Sequence, residues 1–578
     1  MKGYSTEENA LMLVALLKAY GIRKIIASPG TTNLAFVASL QCDPFFQVYS
    51  APEERSAAYM ACGMAQESGE PVVITCTGAT ASRNYLPGLT EAFYRKLPIF
   101  AVTATQGIAK VGHLIAQVID RSSIPADCAC YSTELPVIKD NDDRRHACIR
   151  INKALISLRR HGGGPVHINL ATSYDGEFSA EHLPDVKKIA YYEDLASVPS
   201  IPEGRIAVFI GSHQPMNKNL EEAIDAFCAK YNAVAFCDHT SNFKGKYRVQ
   251  APLMFSQDSW TAPTARLDLM IHIGEVSGAY AAPKALEVWR VSPDGEIRDT
   301  FRNISAVFAV NESDFFRHYA ANSDHSYDSF LTECKNLNEE LWADVPENIP
   351  FSNVWIARRL SRRLPQESVL TTGILNSLRS WNFFEIPNSV DSYCNVGGFG
   401  IDGCLSTLIG AAITKPEKIF YAVLGDLAFF YDMNSLGNRH TPANIRIILI
   451  NNGKGTEFRN YNHMGSFFGE DADKYIAAGG HYGNRSKTLV KHYAEDLGFE
   501  YISAASKDEF FVIESIITSD KPRTRPLIAE IFTDSTDEND AVFTMRHLRQ
   551  TKNHSPKEII RNAIGNETVR KFKSILGR

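Results

Sequence analysis

Short uninterrupted runs of apolar residues alternate, for most of this chain, with stretches in which apolar positions recur every three or four residues. An unbroken run fits a strand buried on both faces, and the wider spacing fits a helix with one buried stripe, so the pattern predicts parallel α/β units. In the first third, residues 24–28, 71–77, 98–105 and 165–170 read as buried strands. Between the first two lies a helix over 53–69, with Ala57, Ala58, Met60, Ala61, Met64 and Ala65 at helical spacing. A second unit begins near 204, with strands expected at 206–210, 267–273 and 285–292; the acidic, aromatic stretch 323–350 reads as a connecting helix and linker. A third starts near 353, with strands at 368–372, 419–424, 445–450 and 526–532. The boundaries expected are 1–185, 195–345 and 350–540, followed by a basic helical extension over 541–578.

Length supports the division: 578 residues exceed what one hydrophobic core organises, so three to four domains are expected. A formal net charge of -6 argues against a nucleic-acid partner. The apolar stretch 10–17 is far shorter than the roughly 20 residues of a membrane span, and no charged leader precedes it. Eleven scattered cysteines without a C-x-x-C pair fit reduced thiols in a cytoplasm. From Arg546 onward nine Lys or Arg face two Glu, and Ser555-Pro556-x-Glu558 looks like a capped helix start, better suited to solvent or subunit packing than to membrane or nucleic acid.

Candidate chemistry concentrates at strand ends. Gly425-Asp426 follows one expected strand and Asn451-Asn452 the next, with 24 residues between the pairs. Adjacent parallel strands would set a carboxylate and an amide oxygen on one rim, where open α/β sheets bind ligands. Hard oxygen donors there suit Mg2+, with the Lys454 carbonyl in the Gly453–Gly455 turn as a third donor. Read singly, Asp426 is equally a helix cap and the Asn pair a turn. Glu54 begins a helix, where an acidic residue also serves the helix dipole, and Thr77-Gly78 opens another helix through a small-residue turn that lets a ligand near the backbone.

In this order the residues resemble the thiamine-diphosphate (ThDP) enzyme superfamily of acetolactate synthase and pyruvate decarboxylase, and within it the menaquinone-pathway SEPHCHC synthase branch. Ser28-Pro29-Gly30, Glu54-Arg55-Ser56-Ala57, Thr77-Gly78 with Asn84-Tyr85-Leu86-Pro87, and Glu91-Ala92-Phe93-Tyr94 carry it. So do Gly400-Ile401-Asp402-Gly403, Leu405-Ser406-Thr407, Gly425-Asp426-Leu427 and Asp432-Met433-Asn434. Leu427, where most of the superfamily has Gly, points to the menaquinone branch. The resemblance covers roughly 5–180 and 353–535, and the middle mainly through Trp289-Arg290-Val291.

The resemblance implies three doubly wound parallel-sheet α/β domains: pyrimidine-binding, central and diphosphate-binding. It implies ThDP and Mg2+ shared between subunits, hence a homodimer or homotetramer. Glu54 would address the pyrimidine N1′ atom, and Asp426, Asn452 and the Lys454 carbonyl would hold the metal. Thr77, Gly78, Asn376, Ser377, Gly400, Ile401, Gly425, Leu427, Ala428 and Phe458 would contact the cofactor. Gln117 matches a substrate-facing amide, although it and Phe458 read equally well as a surface amide and a core aromatic.

Three departures bear on the substrate. The branch places arginines, which hold the carboxylates of 2-oxoglutarate and isochorismate, where this chain has Thr32, Gln106-Gly107 and Val396. The expected function is therefore decarboxylation of a small 2-oxo acid, pyruvate favoured, with transfer of the acyl-anion equivalent to a carbonyl acceptor. Alternatives are a simple 2-oxo-acid decarboxylase or acetolactate-type synthase, the SEPHCHC reaction itself using Arg83, Arg379 or Arg459, and a non-catalytic scaffold of the same fold.

Overall fold

The computed structural model describes residues 3–121, 123–173, 176–278, 281–321, 326–480 and 486–549. Contacts divide the chain into two compact units, Met1–Val198 with Pro293–Val310, and Pro199–Ser292 with Asn311–Arg578.

The first unit carries β1 (Lys24–Ala27), β2 (Gln47–Ser50), β3 (Val72–Cys76), β4 (Ile99–Gln106), β5 (Tyr131–Leu135) and β6 (Val166–Thr172). They form one parallel sheet in the order β2-β1-β3-β4-β6-β5. Successive residues of a strand point to opposite faces, and here the two faces feed separate cores. Ile25, Val73, Phe100 and Val102 pack with the Glu8–Ala19 and Asn141–Ser157 helices, whereas Ile26, Val72, Ile74 and Ile99 pack with the Glu54–Ser68 helix. Burial on both faces is why these strands read as continuous apolar runs.

The Glu54–Ser68 helix starts where Glu53 accepts the N–H groups of Arg55 and Ser56, and it stops at Gly69, whose φ of 65° is left-handed. Its buried stripe is Ala57, Ala58, Ala61, Cys62 and Ala65. Met60, expected inside by periodicity, instead lies 42% exposed beside Tyr59. A short β7 (Ala190–Tyr192) follows.

In the second unit, β8 (Ile206–Ile210), β9 (Val234–Cys237), β10 (Arg248–Gln250), β11 (Arg266–Ile273) and β12 (Lys284–Val291) lie in the order β10-β9-β8-β11-β12, all parallel. The chain then adds β13 (Ile304–Phe308) to the first unit, parallel to β7. A third parallel sheet, also in the second unit, comprises β14 (Val369–Thr372), β15 (Asp391–Cys394), β16 (Phe420–Gly425), β17 (Ile445–Asn451), β18 (Glu500–Ala504) and β19 (Leu527–Phe532). Its order is β15-β14-β16-β17-β19-β18, so the carboxyl ends of β14, β16 and β17 stand side by side.

The expected linker contains a helix, Ser329–Ala343. The Ser535–Arg546 helix enters the expected basic extension, while the capped start at Ser555-Pro556 lies outside the described residues. Among the described residues no helix is long and apolar enough to cross a membrane.

Candidate active site

Gly425 and Ile450 are partners across β16 and β17, so the turns leaving the two strands meet. Asp426 opens the Asp426–Asp432 helix and is buried. One of its carboxylate oxygens accepts the N–H of Leu427 at 2.9 Å, the other that of Gly453 at 2.7 Å. Gly453 makes the turn with a φ of 78°, and the Asn452 side-chain oxygen accepts the Lys454 N–H at 3.3 Å. Sequence spacing alone placed these groups on one rim, and the structure joins them directly.

Burial pushes the Asp426 carboxyl up to about 7, and no cation pairs with it among the described residues. A buried carboxylate without a counter-charge, beside an amide oxygen and a turn carbonyl, is a donor set that fits a hard divalent cation. Leu427 and Phe458 converge on Gly455, where an added Cβ would sit 3.4 and 3.2 Å from them. Ala428 is buried in the core beneath.

Helix Asn376–Asn382 leaves β14 on the same rim. Asn376 accepts from Arg379 at 2.7 Å and from Asn460 at 3.2 Å, and the Ser377 hydroxyl accepts from Asn353 at 3.2 Å. Beyond β15, Val396 is buried against Ile374 and Leu378, with Ile401 packed beside them; an added Cβ at Gly400 would lie 2.4 Å from Asp402. Position 396 is thus an apolar plug. Arg83, Arg379 and Arg459, named as substitutes for the missing arginines, are engaged elsewhere, as is the nearby Lys454. Arg379 makes a two-pronged pair with Glu457 at 2.7 and 3.0 Å. Lys454 and Arg459 share Asp473, at 2.6 and 3.4 Å. Arg83 donates to the Asp120 carbonyl at 3.1 Å.

In the first unit, Glu54 accepts from Asn84 at 3.2 Å at the start of its helix. The carboxyl ends of β3 and β4 carry the rest. The Thr77 hydroxyl bonds that of Thr32, which donates to the Ala104 carbonyl at 3.1 Å. Gly30 allows this approach, since an added Cβ there would lie 2.4 Å from Thr77 Cβ. Gly78 faces the Gln117 backbone, 2.8 Å from where a Cβ would stand, and Gln117 itself holds a φ of 65°. A non-glycine residue in that conformation is strained, as ligand-facing residues often are.

Arg121 was not singled out from the sequence. It is 3% exposed and donates from Nη2 to the Ala104 carbonyl at 3.0 Å, but its Nε and Nη1 have no partner among the described residues. Its local sequence, Ile119-Asp120-Arg121, resembles a solvated loop and gave no signal. Glu538 was missed likewise: fully buried, it accepts from the Asn353 N–H and the Thr533 hydroxyl, and burial pushes it up to about 7.

Comparison with known proteins bears on both rims. Residues 9–124 match the family model described as thiamine pyrophosphate enzyme, N-terminal TPP binding domain. A 2-succinyl-5-enolpyruvyl-6-hydroxy-3-cyclohexene-1-carboxylate synthase from Bacteroides fragilis is 30% identical over 570 residues, spanning 95% of this chain and all of the relative. Proteins of the same name from Phocaeicola vulgatus and Flavobacterium johnsoniae are 30% and 26% identical, over 95% and 78% of this chain and 99% and 84% of their own lengths.

Proposed function

This chain belongs to the thiamine-diphosphate-dependent enzymes, in the branch of the 2-succinyl-5-enolpyruvyl-6-hydroxy-3-cyclohexene-1-carboxylate synthases, and from that footing we propose that it decarboxylates a 2-oxo acid and transfers the acyl-anion equivalent to a carboxylate-bearing acceptor. The name of the relatives describes such a product, a succinyl group on a cyclohexene carboxylate. The observation that carries the reading is Asp426, a buried carboxylate joined to the 452–454 turn and lacking a counter-charge among the described residues.

In this reading Asp426, Asn452 and the Lys454 carbonyl would hold Mg2+, and the helix starting at Asn376 lines the same rim. ThDP held there would supply the electron sink that decarboxylation of a 2-oxo acid needs. Glu54 holds a proton at the pyrimidine N1′ atom, a task that needs an ionisable side chain rather than an amide. Leu427 and Phe458 exclude water, and Gln117 presents its amide to the reacting acids. Exposed Val48, Tyr49, Tyr59 and Met60, on β2 and the Glu54–Ser68 helix, support a homodimer that covers them.

A second reading, a short uncharged donor such as pyruvate, is favoured by the Val396 plug and the neutral Thr32–Thr77 pair. Carbon dioxide release from 2-oxoglutarate and pyruvate, each with acidic and neutral carbonyl acceptors, decides between them. A higher kcat/KM for 2-oxoglutarate supports the first and a higher one for pyruvate the second. No release from any 2-oxo acid with ThDP and Mg2+ overturns both.

A further inference from the structure

We propose that Arg121 is the carboxylate anchor of this active site, its unpaired N–H donors receiving a carboxylate of one of the reacting acids. The inference rests on the function proposed above and adds a residue and a specificity to it. A guanidinium is planar and offers parallel N–H donors that match the two oxygens of a carboxylate. Here Nη2 gives one of its two N–H groups to the Ala104 carbonyl, while Nε and Nη1 are buried without a partner among the described residues, so the second N–H of Nη2 still forms a fork with one of them. Such a group is costly to fold around and is seldom kept without use.

Among the described residues no carboxylate forms an ion pair with Arg121. The Cys76 thiol is pushed up to about 12 by burial and stays neutral, and Glu134 influences Arg121 without coming within ion-pair distance among the described residues. His167, behind it, is held neutral and bonds Thr103 and Ser132 instead. The location matters as much as the vacancy of the donors. Arg121 shares its acceptor, the Ala104 carbonyl, with Thr32, and Nη2 lies 3.6 Å from the Cβ position of Gly78. That places the cation at the carboxyl ends of β3 and β4, against the Thr77-Gly78 turn and the strained Gln117.

The test compares acids with their esters in the full-length protein with ThDP and Mg2+. The donor pair is 2-oxoglutarate and its 5-methyl ester; the acceptor pair is cyclohexadiene-1-carboxylate and its methyl ester. Wild type should favour the acid of one pair, and the pair affected tells donor anchor from acceptor anchor. Arg121→Gln should lower kcat/KM for that acid on the order of 10²-fold or more, leaving its ester within a few-fold. Arg121→Lys, which keeps charge but not the fork, should recover part. Calorimetric titration with the same compounds reads the preference without turnover and works even if the reaction is another one. Absence of carbon dioxide release in wild type then refutes the proposed function alone. Equal affinity of wild type for acid and ester in both pairs, or equal losses for acid and ester in Arg121→Gln, overturns the anchor.

Discussion

Replacing Glu54 with Gln separates catalysis from folding more cleanly than any other change in the site. Gln keeps the length and the side-chain oxygen that accepts from Asn84 at 3.2 Å, so that contact survives. The cap is not Glu54 but Glu53, whose bonds to Arg55 and Ser56 at 3.2 and 2.8 Å are untouched. What is lost is one negative charge in the first helical turn, worth about 0.3–1 kcal/mol at a helix terminus. In a chain of this size that lowers the unfolding midpoint by about 2 °C or less. A positioned acid–base group contributes about 10²–10⁴-fold to rate, or about 3–5 kcal/mol of barrier, several times the folding loss. Exchange of the cofactor thiazolium C2 proton for deuterium, quenched in acid and read by NMR, isolates the step. Exchange slowed at least 10²-fold with an unchanged fold is the expected result. Exchange as fast as wild type refutes the role of Glu54, and a collapse of stability refutes the account of the helix start.

Asp426→Ala should abolish the thermal stabilisation that ThDP and Mg2+ give wild type, and equal ThDP affinity in the two proteins by calorimetry would disprove the metal assignment. Gly30→Ala drives a Cβ to 2.4 Å from Thr77 and should destabilise by about 1–3 kcal/mol in urea titration; an unchanged midpoint would show that the loop yields freely. Burial, with the Arg121 guanidinium adding to it, pulls His167 down to about 3, whereas in the unfolded chain it takes a proton near 6.5. Its contribution is therefore whole above pH 6.5 and declines as pH falls toward 3, by a few kcal/mol in all. His167→Gln should flatten the fall in stability below pH 6.5, and parallel curves for the two proteins would exclude His167 as its source.

Strands buried on both faces were legible from their apolar runs: β1, β3, β4, β6, β16 and β17 lie within a residue or two of expectation. Edge strands were not. All four residues of β2 are exposed, and β15 and β18, at the two ends of the third sheet, are only partly buried, so no continuous run marks them. Helical periodicity found the Glu54–Ser68 helix but put Met60 inside, because spacing alone cannot tell which apolar residues of a helix face the core. The Asp426 and Asn452 rim was legible because each residue directly follows a strong strand. Arg121 was not, because its burial comes from β3 and β4, far from it in sequence, and nothing in the local sequence encodes that.

If the β16–β17 rim holds the cofactor diphosphate as proposed, the pairing of Lys454 and Arg459 with one aspartate makes it a leashed charge rather than an open trap. Two cations tethered to Asp473 would then offer little to a bare polyanion drifting past, since each would first have to leave its carboxylate. On that reading, selectivity for ThDP with its metal over the nucleotides and polyphosphates of a crowded cell would depend on a carboxylate that need never touch the cofactor at all.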